Sequence, residues 1–123
     1  MKKVGEVMTT DLFHIDPSTT VAEAATTMGS HKVGAALVTV DGKLVGIFTE
    51  RDIVKALAAH FDAAGHPVEQ WMTKDPRTIS ASDTENDALD IMLAHGFRHL
   101  PVVDEGALVG ILSIRDVSHH ARD

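Results

Sequence analysis

Moved 64 positions along itself, the chain falls back into register, and this duplication constrains its fold more than any other feature. Between Val4–Ile53 and Val68–Val117, 18 of 50 aligned pairs are identical with no gap. The matches include Met8/Met72, Thr9/Thr73, Asp11/Asp75, Ile15/Ile79, Ala24/Ala88, Met28/Met92, His31/His95, Val38/Val102, Gly42/Gly106, Arg51/Arg115 and Asp52/Asp116. The run Leu44-Val45-Gly46-Ile47 recurs intact as Leu108-Val109-Gly110-Ile111. One copy alone is too small to close a good core. The two repeats, 1–62 and 63–123, are therefore expected to pack face to face about a pseudo-twofold axis, with sites in pairs.

Each copy checks the local reading of the other. Thr20 with Glu23, and Thr84 with Asp87, form capping-box patterns ahead of apolar residues at helical spacing: Val21, Ala24, Ala25 and Met28, then Ala88, Leu89, Met92 and Leu93. Helices of roughly ten residues follow from this. Ala35 to Val40 and Leu44 to Phe48 flank Asp41-Gly42 and read as a hairpin; Leu100 to Val103 and Leu108 to Leu112 repeat it across Asp104 to Gly106. A further helix starts at Thr49 and at Ser113. Short extended pieces near Phe13 to Ile15 and Arg77 to Ile79 complete the order strand, helix, strand, strand, helix, an α/β (α+β) unit. Gly65 and Pro67 mark the joint between copies, and Val68 to Met72 reads as a short lead-in helix matching Val4 to Met8.

Composition narrows the function classes. Over 123 residues, 44% are apolar, ordinary for a globular chain with a real core, and the longest apolar runs are too short to span a bilayer. Met1-Lys2-Lys3 leads into no signal-like stretch, so a cytoplasmic protein without membrane association is expected. With no cysteine, disulfides, thiolate zinc sites and cysteine nucleophiles are excluded. Eighteen acidic against eleven basic residues give a formal charge of −7, which disfavours nucleic acid as a partner and requires a local patch for any phosphate. The eight histidines are scattered, and the adjacent pair His119-His120 would point to different helix faces, so no metal site is expected. Nothing reads as a P-loop, a dinucleotide glycine motif or a catalytic triad, and a hydrolase using the histidines and carboxylates ranks last.

The pattern Gly-Ile-x-[Thr/Ser]-x-Arg-Asp closes each hairpin, at Gly46 to Asp52 and at Gly110 to Asp116. Thr49 with Asp52, and Ser113 with Asp116, can be capping boxes that do no more than satisfy free helix amides. The same geometry suits a ligand. A helix N-terminus favours phosphate, and a carboxylate one turn in can accept both hydrogens of a ribose diol. Both readings stay open on the residues alone.

With "VMTTDLFHIDPSTTVAEAATTM", "ALVTVDGKLVGIFTERDI" and "FRHLPVVDEGALVGILSIRDV", nearly the whole chain resembles tandem cystathionine β-synthase (CBS) domains, the paired unit called a Bateman module. The resemblance implies a non-enzymatic regulatory module, with no catalytic residues and no required cofactor. It implies AMP, ADP, ATP or a related adenosyl compound bound in clefts between the repeats, a homodimer, and a separate regulated protein. It assigns ribose to Asp52 and Asp116 and phosphate to Thr49 and Ser113. For adenine it suggests Arg77, Thr78 and Ile79 with Phe97, Arg98 and His99 at the Thr49 site, and Phe13, His14 and Ile15 with Val33, Gly34 and Ala35 at the Ser113 site.

The copies differ at these positions. Arg98-His99-Leu100-Pro101 stands where the first copy has Gly34-Ala35-Ala36-Leu37, and Arg98 and His99 could supply positive charge to a phosphate. A phosphorylated ligand is thus expected at the Thr49 site. The alternative is a ligand-independent dimerisation or interaction module in which both motifs are caps. Trp71, the only tryptophan, is expected to be buried, and Met28 and Met92 to be core.

Overall fold

Each copy's first helix begins where a threonine side chain accepts a backbone amide. In the computed structural model, which describes residues 2–120, Thr20 accepts from the Glu23 amide and Thr84 from the Asp87 amide, and each carboxylate answers at the cap's own N–H. Residues 121–123 of the second repeat, and the side chains of His119 and His120, lie outside the described residues. Helices α2 (Val21–His31) and α4 (Glu85–His95) follow these caps, and both end on a left-handed residue, Lys32 with φ 57° and Gly96 with φ 72°.

The hairpins are as expected. Strands β2 (Ala35–Val40) and β3 (Lys43–Thr49) turn through Asp41-Gly42, and β6 (His99–Asp104) and β7 (Ala107–Ser113) through Glu105-Gly106. All four turn residues have positive φ, which matches the right-handed twist of the flanking strands. A register shift recurs at the same place, Val38/Thr39 and Val102/Val103. Strands β1 (His14–Ile15) and β5 (Ile79–Ser80) pair parallel with β2 and β6, and helices α3 (Glu50–Ala59) and α5 (Ile114–His120) leave the hairpins.

Two features go beyond the expectation. Strand β4 (Thr73–Lys74) adds a fourth strand against β3, with Gly46 opposite Lys74 and Ile47 opposite Thr73. The second copy's partner strand has a single bridge in this place, where Thr9 and Ile111 exchange backbone hydrogen bonds of 2.9 and 3.0 Å. Helix α1 (Val4–Val7) precedes that bridge, whereas the matching Val68–Gln70 is a tighter 3-10 turn. A second 3-10 turn, Ala63–Gly65, occupies the expected joint.

The chain divides into two compact units, with breaks at Leu12/Phe13 and at Pro76/Arg77. The Phe13 unit is Phe13–Pro76; the Arg77 unit joins the chain up to Leu12 with the chain from Arg77 onward. Each lead-in is therefore grouped with the other copy's sheet. The Phe13 unit has a core of Val21, Ala24, Met28, Ala36, Val38, Phe48, Ala56, Ala63 and Val68; that of the Arg77 unit includes Val4, Ile79, Ala88, Met92, Leu100, Val102, Leu112 and Val117. Met28 and Met92 are sealed in these cores.

One core position departs from its twin. Glu85 stands where the first copy has Val21; both are buried, but Glu85 Oε1 meets no hydrogen-bond partner among the described residues. An unbonded buried carboxylate oxygen costs about 1–3 kcal/mol. Glu85→Val should raise the unfolding free energy by about 1 kcal/mol or more at unchanged m-value in urea. A loss of stability would mean that the carboxylate makes a favourable interaction in solution.

Candidate functional site

In each unit a backbone bond brings two of the expected segments together. The Glu50 N–H donates to the Gly34 carbonyl at 3.1 Å, and the Ile114 N–H to the Arg98 carbonyl at 2.8 Å. Each bond ties the first residue of the last helix to the residue before the hairpin. The ladder continues it, with Ala35 opposite Thr49 and His99 opposite Ser113. The short first strand joins from the other side of β2 or β6: the Leu37 N–H donates to the Phe13 carbonyl at 2.9 Å, and Ile79 pairs with Val102.

In the Phe13 unit the half-buried side chains of Phe13, Ile15 and Val33 pack on the core, while His14 is exposed. The Phe13 ring lies 4.9 Å from that of His31, whose Nδ1 is 2.8 Å from the Thr27 carbonyl. Gly34 is half-buried and Ala35 buried. In the Arg77 unit Arg77 and Arg98 are exposed, Thr78 and His99 half-buried, and Ile79 buried. The Phe97 ring stacks on His95 at 5.3 Å. The backbone pairing within each unit thus sets Thr49-Glu50 beside Gly34-Ala35, and Ser113-Ile114 beside Arg98-His99.

Both motif pairs form caps. Asp52 Oδ2 accepts from the Thr49 N–H at 2.9 Å and from its hydroxyl at 3.1 Å, and the Asp52 N–H donates to Thr49 Oγ1 at 3.4 Å. Asp116 Oδ2 accepts from the Ser113 N–H at 3.2 Å, and the Asp116 N–H donates to Ser113 Oγ at 3.1 Å. Both bonds to the Asp52 carboxylate end on Oδ2, so Oδ1 takes none of the capping bonds.

The caps at α2 and α4 serve as internal controls. Glu23 and Asp87 are exposed, and the bonds from Thr20 and Thr84 hold their carboxyls below the usual range. Asp52 makes the same kind of bonds but is only 9% exposed, and burial pushes its carboxyl above the ordinary aspartate value despite Thr49 and the nearby Lys55 and Arg51 charges. Capping alone does not require that burial. Arg51 and Arg115 are both exposed.

Other side chains settle differently from expectation. Trp71 is half-buried and not enclosed: its indole N–H donates to His66 Nδ1 at 3.3 Å, and its ring stands edge-on to His60. The amphipathic indole sits where its polar edge reaches an imidazole, which a closed apolar core would not supply. Among the described residues no group of three or more His, Cys, Asp or Glu is placed to hold a metal ion, and no helix is long and apolar enough to cross a membrane. Sequence reasoning missed β4 beside the motif strand. The Thr9/Thr73 identity was its only signal.

A duplicated α/β pair, each half with a capped helix N-terminus tied to the entry of its hairpin, defines the class. The CBS domain family model matches residues 4–59 and again 68–123, and the chain belongs to the CBS-domain family. An uncharacterized 17.7 kDa protein of Acidianus ambivalens is 47% identical over 124 residues, covering 98% of this chain and 74% of that protein. The crystal structure of CBSX2 in complex with AMP matches with a TM-score of 0.84 at 31% identity, covering 99% of this chain and 97% of that one. The CBS domain pair of MJ0100, in complex with 5-methylthioadenosine and S-adenosyl-L-methionine, matches with a TM-score of 0.90 at 26% identity, covering 99% and 97%.

The raised Asp52 value fixes the sign of a pH effect. The folded carboxyl holds its proton more tightly than the unfolded one, so its stabilising contribution is complete below the ordinary aspartate value and is lost as pH rises through the folded pKa. Relative to Asp52→Asn, which mimics the protonated form, the wild type should lose stability over that rise. Relative to Glu23→Gln it should gain, because the Glu23 carboxyl is held low. Denaturant titrations of the three proteins across acidic pH check both slopes; equal slopes would remove the contrast between the caps.

Proposed function

We propose that this protein is a non-enzymatic regulatory module that binds an adenine nucleotide, AMP, ADP or ATP, or a related adenosyl compound, and passes its occupancy to a separate protein. The observation that carries this is the Asp52 carboxylate, buried at a desolvation cost that the exposed caps avoid, with Oδ1 outside the capping bonds. A ribose diol is a ligand suited to that oxygen, since its two hydroxyls donate and an ionised carboxylate only accepts. The AMP bound to CBSX2, and the methylthioadenosine and S-adenosylmethionine bound to the MJ0100 pair, support an adenosyl ligand.

In this reading Asp52 and Asp116 hold ribose, and Thr49 and Ser113 turn their hydroxyls to phosphate. Phe13, Ile15 and Val33 in one unit, and Ile79 and Phe97 in the other, supply apolar surface for a flat ring. Arg77 and Arg98 carry positive charge suited to a phosphate group, with the half-buried His99 next to Arg98 in the chain, while Gly34 and Ala35 carry none. The module works as a cytoplasmic homodimer. Occupancy stabilises the arrangement that binds better, by at most about 2.7 kcal/mol at a hundredfold excess of ligand over its Kd, the limit reached when the other arrangement does not bind.

A second reading, a ligand-independent interaction module, is favoured by one fact: both motif caps are closed by the motif's own residues. Titration with AMP and ATP, followed by calorimetry and thermal shift, separates the two. The nucleotide reading expects a saturable rise in Tm, and Asp52→Asn should weaken binding at its site at least tenfold, about 1.4 kcal/mol, with the circular dichroism spectrum unchanged. If no adenosyl compound moves Tm at millimolar concentration, the interaction module is the better description.

A further inference from the structure

The same thioether-on-glycine contact is built twice. A Cβ placed on Gly46 would lie 2.5 Å from Met72 Sδ and 3.0 Å from both Cγ and Cε; one placed on Gly110 would lie 2.5 Å from Met8 Sδ and 3.0 Å from Cγ. Each sulfur thus fills the space that a side chain would take, lying flat on a buried glycine of the motif strand. Each methionine also sits at the end of a turn, with its N–H bonded to the Val68 or Val4 carbonyl at 2.8 or 3.0 Å. Immediately after it comes the backbone pairing that fastens the lead-in: Thr73 and Lys74 on Ile47 and Gly46, and Thr9 on Ile111.

Exposure separates these methionines from the other pair. Met8 and Met72 are half-buried at the rim of their cores, whereas Met28 and Met92 are 2% and 1% exposed. Thioether oxidation turns an apolar, adaptable group into a polar one that needs a hydrogen-bond donor. The sulfur already fills the space a side chain would take on the glycine, so an added oxygen forces the oxidised side chain to shift from its seat or push its neighbours aside.

We propose that Met8 and Met72 form a paired modification site for hydroperoxides, and that sulfoxide formation loosens the two lead-ins from strands β7 and β3. A sulfur lone pair attacks one peroxide oxygen, the S–O bond forms as the O–O bond breaks, and water or an alcohol leaves. The sulfur loses two electrons and the peroxide gains them. This inference does not rest on nucleotide binding, and its readouts need no nucleotide.

The test treats the full chain with dilute hydrogen peroxide and follows each methionine by peptide mass spectrometry, alongside Tm and backbone hydrogen exchange. Met8 and Met72 should oxidise at least ten times faster than Met28 and Met92. Doubly oxidised protein should lose about 4 °C or more in Tm, with faster exchange in the segments holding Thr9 and Thr73–Lys74. Methionine sulfoxide reductases should restore both. Met8→Leu with Met72→Leu, a volume-conserving change, should abolish the response. Equal oxidation rates at all four methionines would overturn the proposal, as would full oxidation at 8 and 72 with Tm and exchange unchanged. Both readouts come from the wild-type chain, so they hold even if the double variant fails to fold.

Discussion

A single backbone hydrogen bond in each copy, Glu50 N–H to Gly34 C=O and Ile114 N–H to Arg98 C=O, organises what surrounds it. It uses one of the free amides of a helix N-terminus to pin that terminus to the entry of the hairpin. The cap residue then sits in the strand ladder and the carboxylate sits one turn in. Were the helix to start elsewhere, Thr49 and Asp52 would be an ordinary solvated cap. Because it starts there, burial of the carboxylate is set by tertiary structure and not by the local motif.

The chain carries its own controls for this argument. Thr20/Glu23, Thr84/Asp87 and Thr49/Asp52 share a spacing and a bonding pattern, and differ in exposure. Hydrogen bonding dominates at Glu23 and Asp87 and holds their carboxyls low; desolvation dominates at Asp52 and pushes its carboxyl up. The motif is legible in the sequence and its electrostatics are not, since burial depends on which distant segments cover it.

The same division runs through the fold. The helices after Thr20 and Thr84 and the Asp41-Gly42 hairpin were readable because caps and turns are written in adjacent residues. Strand β4 was not, since two residues carry no period and only pairing with Gly46 and Ile47 makes them a strand. The helix expected over Val68 to Met72 is a 3-10 turn over Val68–Gln70, a distinction too fine for apolar spacing. Trp71 misled for a related reason: size and apolarity suggest an interior, but an indole N–H with His66 to bond can remain near the surface. The Gly46/Met72 and Gly110/Met8 contacts left a trace that single-copy reading overlooks, because both members of each pair survive unchanged in both repeats.

The exchange of lead-ins bears on how such a chain arose. A gene for one copy would encode a molecule whose opening segment has its seat on another molecule's sheet, with its own sheet left waiting for a neighbour's. Two such molecules could complete each other only by trading ends, at a cost that depends on their concentration. Joining the genes makes that trade internal, removes its dependence on dilution, and leaves either half free to drift, as Val21 and Glu85 already have.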